Sequence, residues 1–145
     1  MRVAVLLMSA GLLVGADNRE DAIKKDMADL DGVWLMVSGA RDGQVLPDQF
    51  VKRAKRYGKP GETIITLGGD LYMHAKFTID ASKKPKTIDY DVIAGPNKGM
   101  SQLGIYELVG DTVKFCLSSP GNARPSDFSA KEGSGWTLSV WKRKK

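Results

Sequence analysis

The chain has 145 residues, of which 42% are hydrophobic, and it carries a formal net charge of +5 at pH 7. This length supports one domain with a sizeable core and is too short for two. Cys116 is the only cysteine, which excludes an internal disulfide, so the fold must depend on its core. The basic residues cluster near 52–59, 83–86 and 142–145, where they could meet an anionic surface or nucleic acid but more often form solvated faces.

Residues 1–16 have the pattern of a secretory signal peptide. Arg2 gives a basic start, an apolar run follows, and Val14, Gly15 and Ala16 suit a cleavage site. The apolar run is shorter than the roughly 20 residues that span a bilayer. We therefore expect a cleaved signal peptide, no stable membrane insertion afterwards, and an exported protein in the periplasm or outside the cell. Export argues against nucleic acid as a partner.

A short helical lead-in, residues 17–29, is predicted before the main domain, which covers residues 30–145. A helix over residues 18–30 would place apolar side chains near one face: Ala22, Ile23, Met27 and Leu30. Such a helix could cover the open end of a β-barrel.

The first strand is predicted over residues 30–38, between the Asp31-Gly32 pair and the turn signal at residues 41–43. The Gly32-Val33-Trp34 sequence is similar to the opening of lipocalin-like barrels, in which the glycine allows a close entry and the indole plugs one end. A tryptophan packed into an ordinary core is the alternative.

A second helix is predicted over residues 47–56, with Pro47 in its first turn. Its apolar face is thin, with only Phe50, Val51 and Ala54. We expect a surface helix or lid.

The rest of the chain alternates short strands with Gly, Pro, Asn and Asp turns. Strands are predicted over residues 63–67, 71–79, 87–93, 102–109, 112–117 and 136–142. The second of these has one apolar face, made of Leu71, Met73, Ala75, Phe77 and Ile79, and the last has Trp136, Leu138 and Val140 on one face. The polar segment 119–135 is either functional or tied down by its own side chains. Seven or eight short strands favour an all-β antiparallel barrel or sandwich.

Several stretches in a fixed order carry a resemblance to a known family. They are residues 30–34, 84–89, 95–99, 104–108, 110–114 and 124–128, followed by Gly133-Ser134-Gly135. In them the chain resembles the uncharacterised lipocalin-like domain family that recurs in planctomycete bacteria. The resemblance implies a small β-barrel behind a signal peptide, without an established activity or catalytic residues. It also implies barrel-closing roles for Gly32 and Trp34, with Lys142 or Arg143 lying over the indole; strand parity does not choose between these two.

No enzyme, cofactor or metal site is predicted. His74 is the only histidine, and no Gly-x-Ser-x-Gly elbow accompanies it. One histidine and one distant cysteine cannot supply the usual zinc ligands. Asp89 and Asp91 share a strand face and could hold a hard cation, although carboxylates that face water are commoner.

Two functions remain open. In the first, the barrel binds a small hydrophobic ligand in an interior lined by Met36, Leu71, Met73, Phe77, Tyr90, Phe115 and Leu138. In the second, the same side chains fill the interior, and the domain acts in structure or protein interaction through its loops and basic patches. The sequence does not identify a protein partner.

Overall fold

The computed structural model describes residues 18–145, so the predicted signal peptide at residues 1–16 lies outside the described residues. No helix within 18–145 is long and apolar enough to cross a membrane. The elements in chain order are α1 (residues 18–29), β1 (Gly32–Arg41), β2 (Gln44–Val45), α2 (Asp48–Arg53), β3 (Ala54–Lys59), β4 (Glu62–Leu67), β5 (Asp70–Asp80), β6 (Lys86–Ala94), β7 (Ser101–Val109), β8 (Thr112–Leu117) and β9 (Thr137–Arg143).

The sheet is a closed antiparallel barrel. From β3 to β9 each strand pairs with the next one in sequence, and β1 pairs with both β3 and β9. The first and last strands meet in a register that places Trp34 opposite Arg143. The two-residue strand β2 adds to one end of β1, with Ala40 opposite Val45. The predicted all-β barrel of about eight strands with two short helices is therefore confirmed.

The core lies inside the barrel and beneath α1. Its largest fully buried side chains are Trp34, Trp141, Tyr90, Tyr106 and Phe115. Leu30 belongs to this core, and Ile23 and Met27 of α1 pack against it. The predicted helix covers one end of the barrel in this way, since its apolar face has no other surface to bury against.

Helix α1 is fixed to the barrel by the buried carboxylate of Asp26. This carboxylate accepts a hydrogen bond from the Tyr106 hydroxyl at 2.7 Å and one from Lys86 Nζ at 2.8 Å. Burial, and then the hydrogen bond to Asp26, raise the pKa of Tyr106 far above its usual value of 10.0. The helix is thereby connected to β6 and β7 by a buried polar contact.

The prediction of a helix over residues 47–56 is wrong in its last three residues. The helix α2 ends at Arg53, and residues 54–59 form β3, a strand absent from the predicted elements. The inward positions of β3 are Ala54, Arg56 and Gly58, a two-residue period that a charged residue in the middle conceals. At Gly58 a Cβ atom would clash with the carbonyl oxygen of Leu30, so only glycine fits there.

The predicted apolar face of the last strand is also wrong. The buried positions of β9 are Ser139 and Trp141, whereas Leu138 and Val140 are only partly buried. Leu138 lies opposite Cys116, which is fully buried but outside the main core. This outer face of the barrel is covered, so apolar residues occur on both faces of β9. Hydrophobicity therefore does not show which alternate residues of the strand face the interior.

The cover is the long segment between β8 and β9. Its Ala130 is buried, and its Arg124 donates Nη1 to the carbonyl of Gly104 at 2.8 Å and pairs with Asp89 at 2.7 Å. The segment 119–135 is thus tied to the barrel by its own side chains, which was one of the two alternatives for it.

Candidate functional site

The barrel interior is nearly filled by its own side chains. Of the seven predicted lining residues, Met36, Met73, Phe77, Tyr90 and Phe115 lie in the core or pack against it. The cavity left among the core side chains has a volume of about 10 Å³. That is about the space one water molecule requires.

Two of the predicted lining residues do not face this interior. Leu71 is 57% exposed, because a register shift between Ile65 and Thr66 in the pairing of β4 with β5 interrupts the alternation there. Leu138 lies on the outer face of β9, as described above. Neither residue contributes to an interior site.

The polar centre of the interior is Arg56 of β3, which is only 5% exposed. Its Nη1 donates to the hydroxyl oxygens of Thr63 at 2.9 Å and Tyr90 at 2.8 Å. Its guanidinium lies 4.2 Å from the ring centre of Phe115 and 4.8 Å from that of Trp141. These contacts connect β3, β4, β6, β8 and β9 through one side chain.

The charge of Arg56 has no acidic partner. None of the ion pairs formed within residues 18–145 includes Arg56. Its Nε is buried and has no hydrogen-bond partner. A buried guanidinium normally pairs with a carboxylate, because leaving water is otherwise costly.

Sequence reasoning missed Arg56 by placing it in a helix and in a basic cluster that more often forms a solvated face. The signal that could have found it is the Pro60-Gly61 pair, which predicts a hairpin. A hairpin over residues 54–67 puts Arg56 in register with Ile65, and thus on a buried face.

The end of the barrel beneath α1 is closed by Trp34 and Arg143. The Arg143 guanidinium lies 4.3 Å from the ring centre of Trp34. It donates Nη1 to the carbonyl of Asp31 at 2.8 Å and Nη2 to that of Asp29 at 2.6 Å. Lys142 is exposed, so Arg143 is the basic residue over the indole. Gly32 has a φ of 111°, a conformation that favours glycine.

A polar groove of about 400 Å³ lies between α1 and the turn after β7. Its charged groups are already paired with one another: Lys25 with Asp29, Lys86 with Asp26, and Arg143 with Asp111. Because these charges neutralise each other, the groove presents little net charge to a ligand.

The other groups with possible chemistry also have structural partners. His74 Nε2 lies 3.3 Å from a carboxylate oxygen of Glu62. Asp91 accepts a hydrogen bond from Ser101 at 2.7 Å. Burial raises the pKa of the Cys116 thiol to about 11. In the described part of the chain, no three His, Cys, Asp or Glu side chains form a group that could hold a metal ion.

The outer surface of β1 combines exposed apolar and basic side chains. Leu35 is 38% and Val37 is 54% exposed. Leu35 lies directly between Lys55 of β3 and Lys142 of β9 in the sheet register. We call Leu35, Val37, Lys55 and Lys142 the β1 outer face.

Comparisons of the chain with protein-family models, curated proteins and solved structures gave no match. Functional inference therefore depends on the geometry of the interior and of the β1 outer face.

Proposed function

We propose that this protein is an exported, non-enzymatic, lipocalin-like domain with a filled barrel, and that it acts as a protein-interaction domain through its outer surface. The observation that supports this most is the interior cavity of about 10 Å³. Sites for small organic ligands usually have volumes of roughly 300–1,000 Å³. A filled interior is thus favoured over the alternative of a small hydrophobic ligand.

The β1 outer face is the proposed binding surface. Its exposed apolar centre, Leu35 and Val37, provides an apolar contact of the kind found in the core of a protein interface. Lys55 and Lys142 on either side of Leu35 favour a partner with a complementary negative charge. The partner class that fits is a protein with an acidic surface around an apolar patch.

Native mass spectrometry tests the filled interior. The purified protein is expected to show the same mass in native and denaturing conditions, before and after incubation with fatty acids and isoprenoids. An additional mass of the size of an organic molecule, larger than that of one monatomic ion, that denaturation removes would contradict the proposal, because it would show an organic ligand held in the barrel.

Charge reversal tests the β1 outer face. The probe is a labelled peptide of alternating Glu and Leu, titrated at two salt concentrations. In the double variant Lys55→Glu with Lys142→Glu, we expect its affinity to fall by about tenfold or more, since both flanking charges become repulsive.

The matched control is the double variant Lys83→Glu with Lys84→Glu, which makes the same change in net charge in the turn between β5 and β6. It should reduce the affinity much less. Equal losses in the two double variants would show general charge attraction and would overturn the assignment of this face.

A further inference from the structure

We propose that the cavity beside Arg56 is a binding site for one monatomic anion of halide size. The first reason is charge. The Arg56 guanidinium is positively charged and 95% buried, and no carboxylate in residues 18–145 forms an ion pair with it. An anion in the adjoining cavity supplies the missing negative charge.

The second reason is the set of hydrogen-bond donors around the cavity. Arg56, Thr63 and Tyr90 all line it. The Nε of Arg56 has no acceptor. The hydroxyl oxygens of Thr63 and Tyr90 both accept from Nη1 of Arg56, which leaves their own protons free to donate. Neither hydroxyl donates to an acceptor within the described chain.

This donor set favours an anion over water. The other lining side chains offer no acceptor: Leu30, Trp34, Phe77, Ile88 and Phe115. A water molecule would have to donate to the remaining lone pairs of the Thr63 and Tyr90 hydroxyls, and a hydroxyl that accepts from the water cannot also donate to it. The nearby carbonyl of Leu30 already accepts the Trp34 indole N–H at 3.1 Å. An anion, in contrast, needs donors alone.

The third reason is size. A cavity of about 10 Å³ holds a single small occupant and leaves no room for a carboxylate with an attached chain, a phosphate or a sulfate. Among anions, a monatomic halide carries a single charge in the least volume.

Crystals of the protein refolded and grown in sodium bromide test the site directly. We expect an anomalous bromine peak at about 3.3 Å from Arg56 Nε, within hydrogen-bond reach for a large anion. Density at this position without an anomalous signal, or no density, would overturn the proposal.

Thermal unfolding provides a second measurement. With ionic strength held constant by gluconate, raising chloride from about 1 mM to 100 mM should raise the Tm by roughly 5 °C or more for a millimolar dissociation constant, because the ion binds only the folded state. A Tm that does not change with chloride would contradict the site.

Two variants separate this site from a general salt effect. Thr63→Val removes one donor at nearly constant volume and should reduce the chloride dependence of the Tm by half or more. Thr66→Val makes the same change on the outer face of the same strand and should leave the dependence unchanged. Equal dependence in both variants would overturn the proposal. Arg56→Met should abolish the dependence, but the other measurements decide the question even if that variant does not fold.

Discussion

Two arginines lie on either side of Trp34 in the sheet, and the barrel compensates their charges in opposite ways. Arg143 of β9 and Arg56 of β3 are both cross-strand neighbours of this indole. Arg143 stacks on the Trp34 ring, donates to two backbone carbonyls and lies 3.3 Å from the Asp111 carboxylate. Arg56 stacks on Phe115 and Trp141, but it donates hydrogen bonds to only two groups, the hydroxyls of Thr63 and Tyr90.

The difference shows that stacking alone does not define the role of a buried arginine. Arg143 joins the last strand to the chain just before the first strand, and its side chain is still 27% exposed, so water and a carboxylate share its charge. Arg56 spans the interior with one nitrogen unsatisfied. We infer that the first arginine closes the barrel and that the second retains capacity for a ligand.

Removing the residue between the two arginines should have the largest effect. Trp34 is fully buried, and its indole carries the Arg143 stack and a hydrogen bond to Leu30. Trp34→Ala should lower the free energy of unfolding by about 3–5 kcal/mol, measured by urea denaturation. Val37→Ala, on the outer face of the same strand, should change it by less than about 0.5 kcal/mol. An unchanged midpoint for Trp34→Ala would exclude the plugging role of the indole.

Replacing each arginine by methionine should change the free energy of unfolding differently at the two positions. Arg143→Met leaves two carbonyls without a partner and should lose about 1–3 kcal/mol of unfolding free energy. Arg56→Met keeps most of the volume and removes a buried charge, so in halide-free urea it should be neutral or stabilising. Similar losses in both variants would mean that the two charges are equally well compensated.

Alkaline pH should weaken the end that Arg143 closes. The pKa of Tyr106 is raised in the folded protein, so the unfolded chain loses this proton first as the pH rises. The stabilisation of the folded protein is complete below pH 10, near the pKa of tyrosine in the unfolded chain. Above that pH it is lost by up to about 1.4 kcal/mol per pH unit.

Urea denaturation from pH 9 to 11 in the protein and in Tyr106→Phe measures this effect. The variant should show a shallower decline, whereas Tyr57→Phe should follow the unchanged protein. Identical slopes in all three proteins would assign the alkaline loss to other groups.

The last prediction concerns the reactivity of a thiol and involves no change in stability. Cys116 lies on the outer side of β8, next to Phe115, one of the two rings beneath Arg56. The pKa of this thiol is raised from 9.0 to about 11, which lowers its thiolate fraction near pH 8 by about 100-fold. A thiol reagent should therefore label the folded protein far more slowly than the protein in urea. Rapid labelling of the folded form would show that the segment containing Ala130 opens readily.

The sequence was most informative where one face of a strand is buried and the other is wet. In β5 and β6 the alternation predicted strands within a few residues of their observed bounds. In β9 it failed, because the segment after β8 covers the outer face. Choosing Arg143 over Lys142 needed the register between β1 and β9, which includes a shift between Met36 and Ser38 that composition does not reveal.

The candidate site was the least predictable part. Its central residue, Arg56, is of a type that usually lies on the surface, and only the pairing of β3 with β1 and β4 places its side chain inside the barrel. Five of the seven predicted interior residues lie in the core or against it, and Met73, Phe77 and Tyr90 were found by their alternation with polar neighbours. No local pattern reports how little space remains between them.

The pairing of β1 with β9 also has a consequence for folding. Hydrogen bonds between β1 and β9 join positions about a hundred residues apart, as in the pair Trp34 and Arg143. Because β9 follows the other strands of the barrel in the chain, one edge of β1 stays free until β9 has paired with it. Such an edge can pair with other chains, and contacts this distant in sequence form slowly. A folding intermediate in which β9 is not yet paired is thus the form most exposed to aggregation.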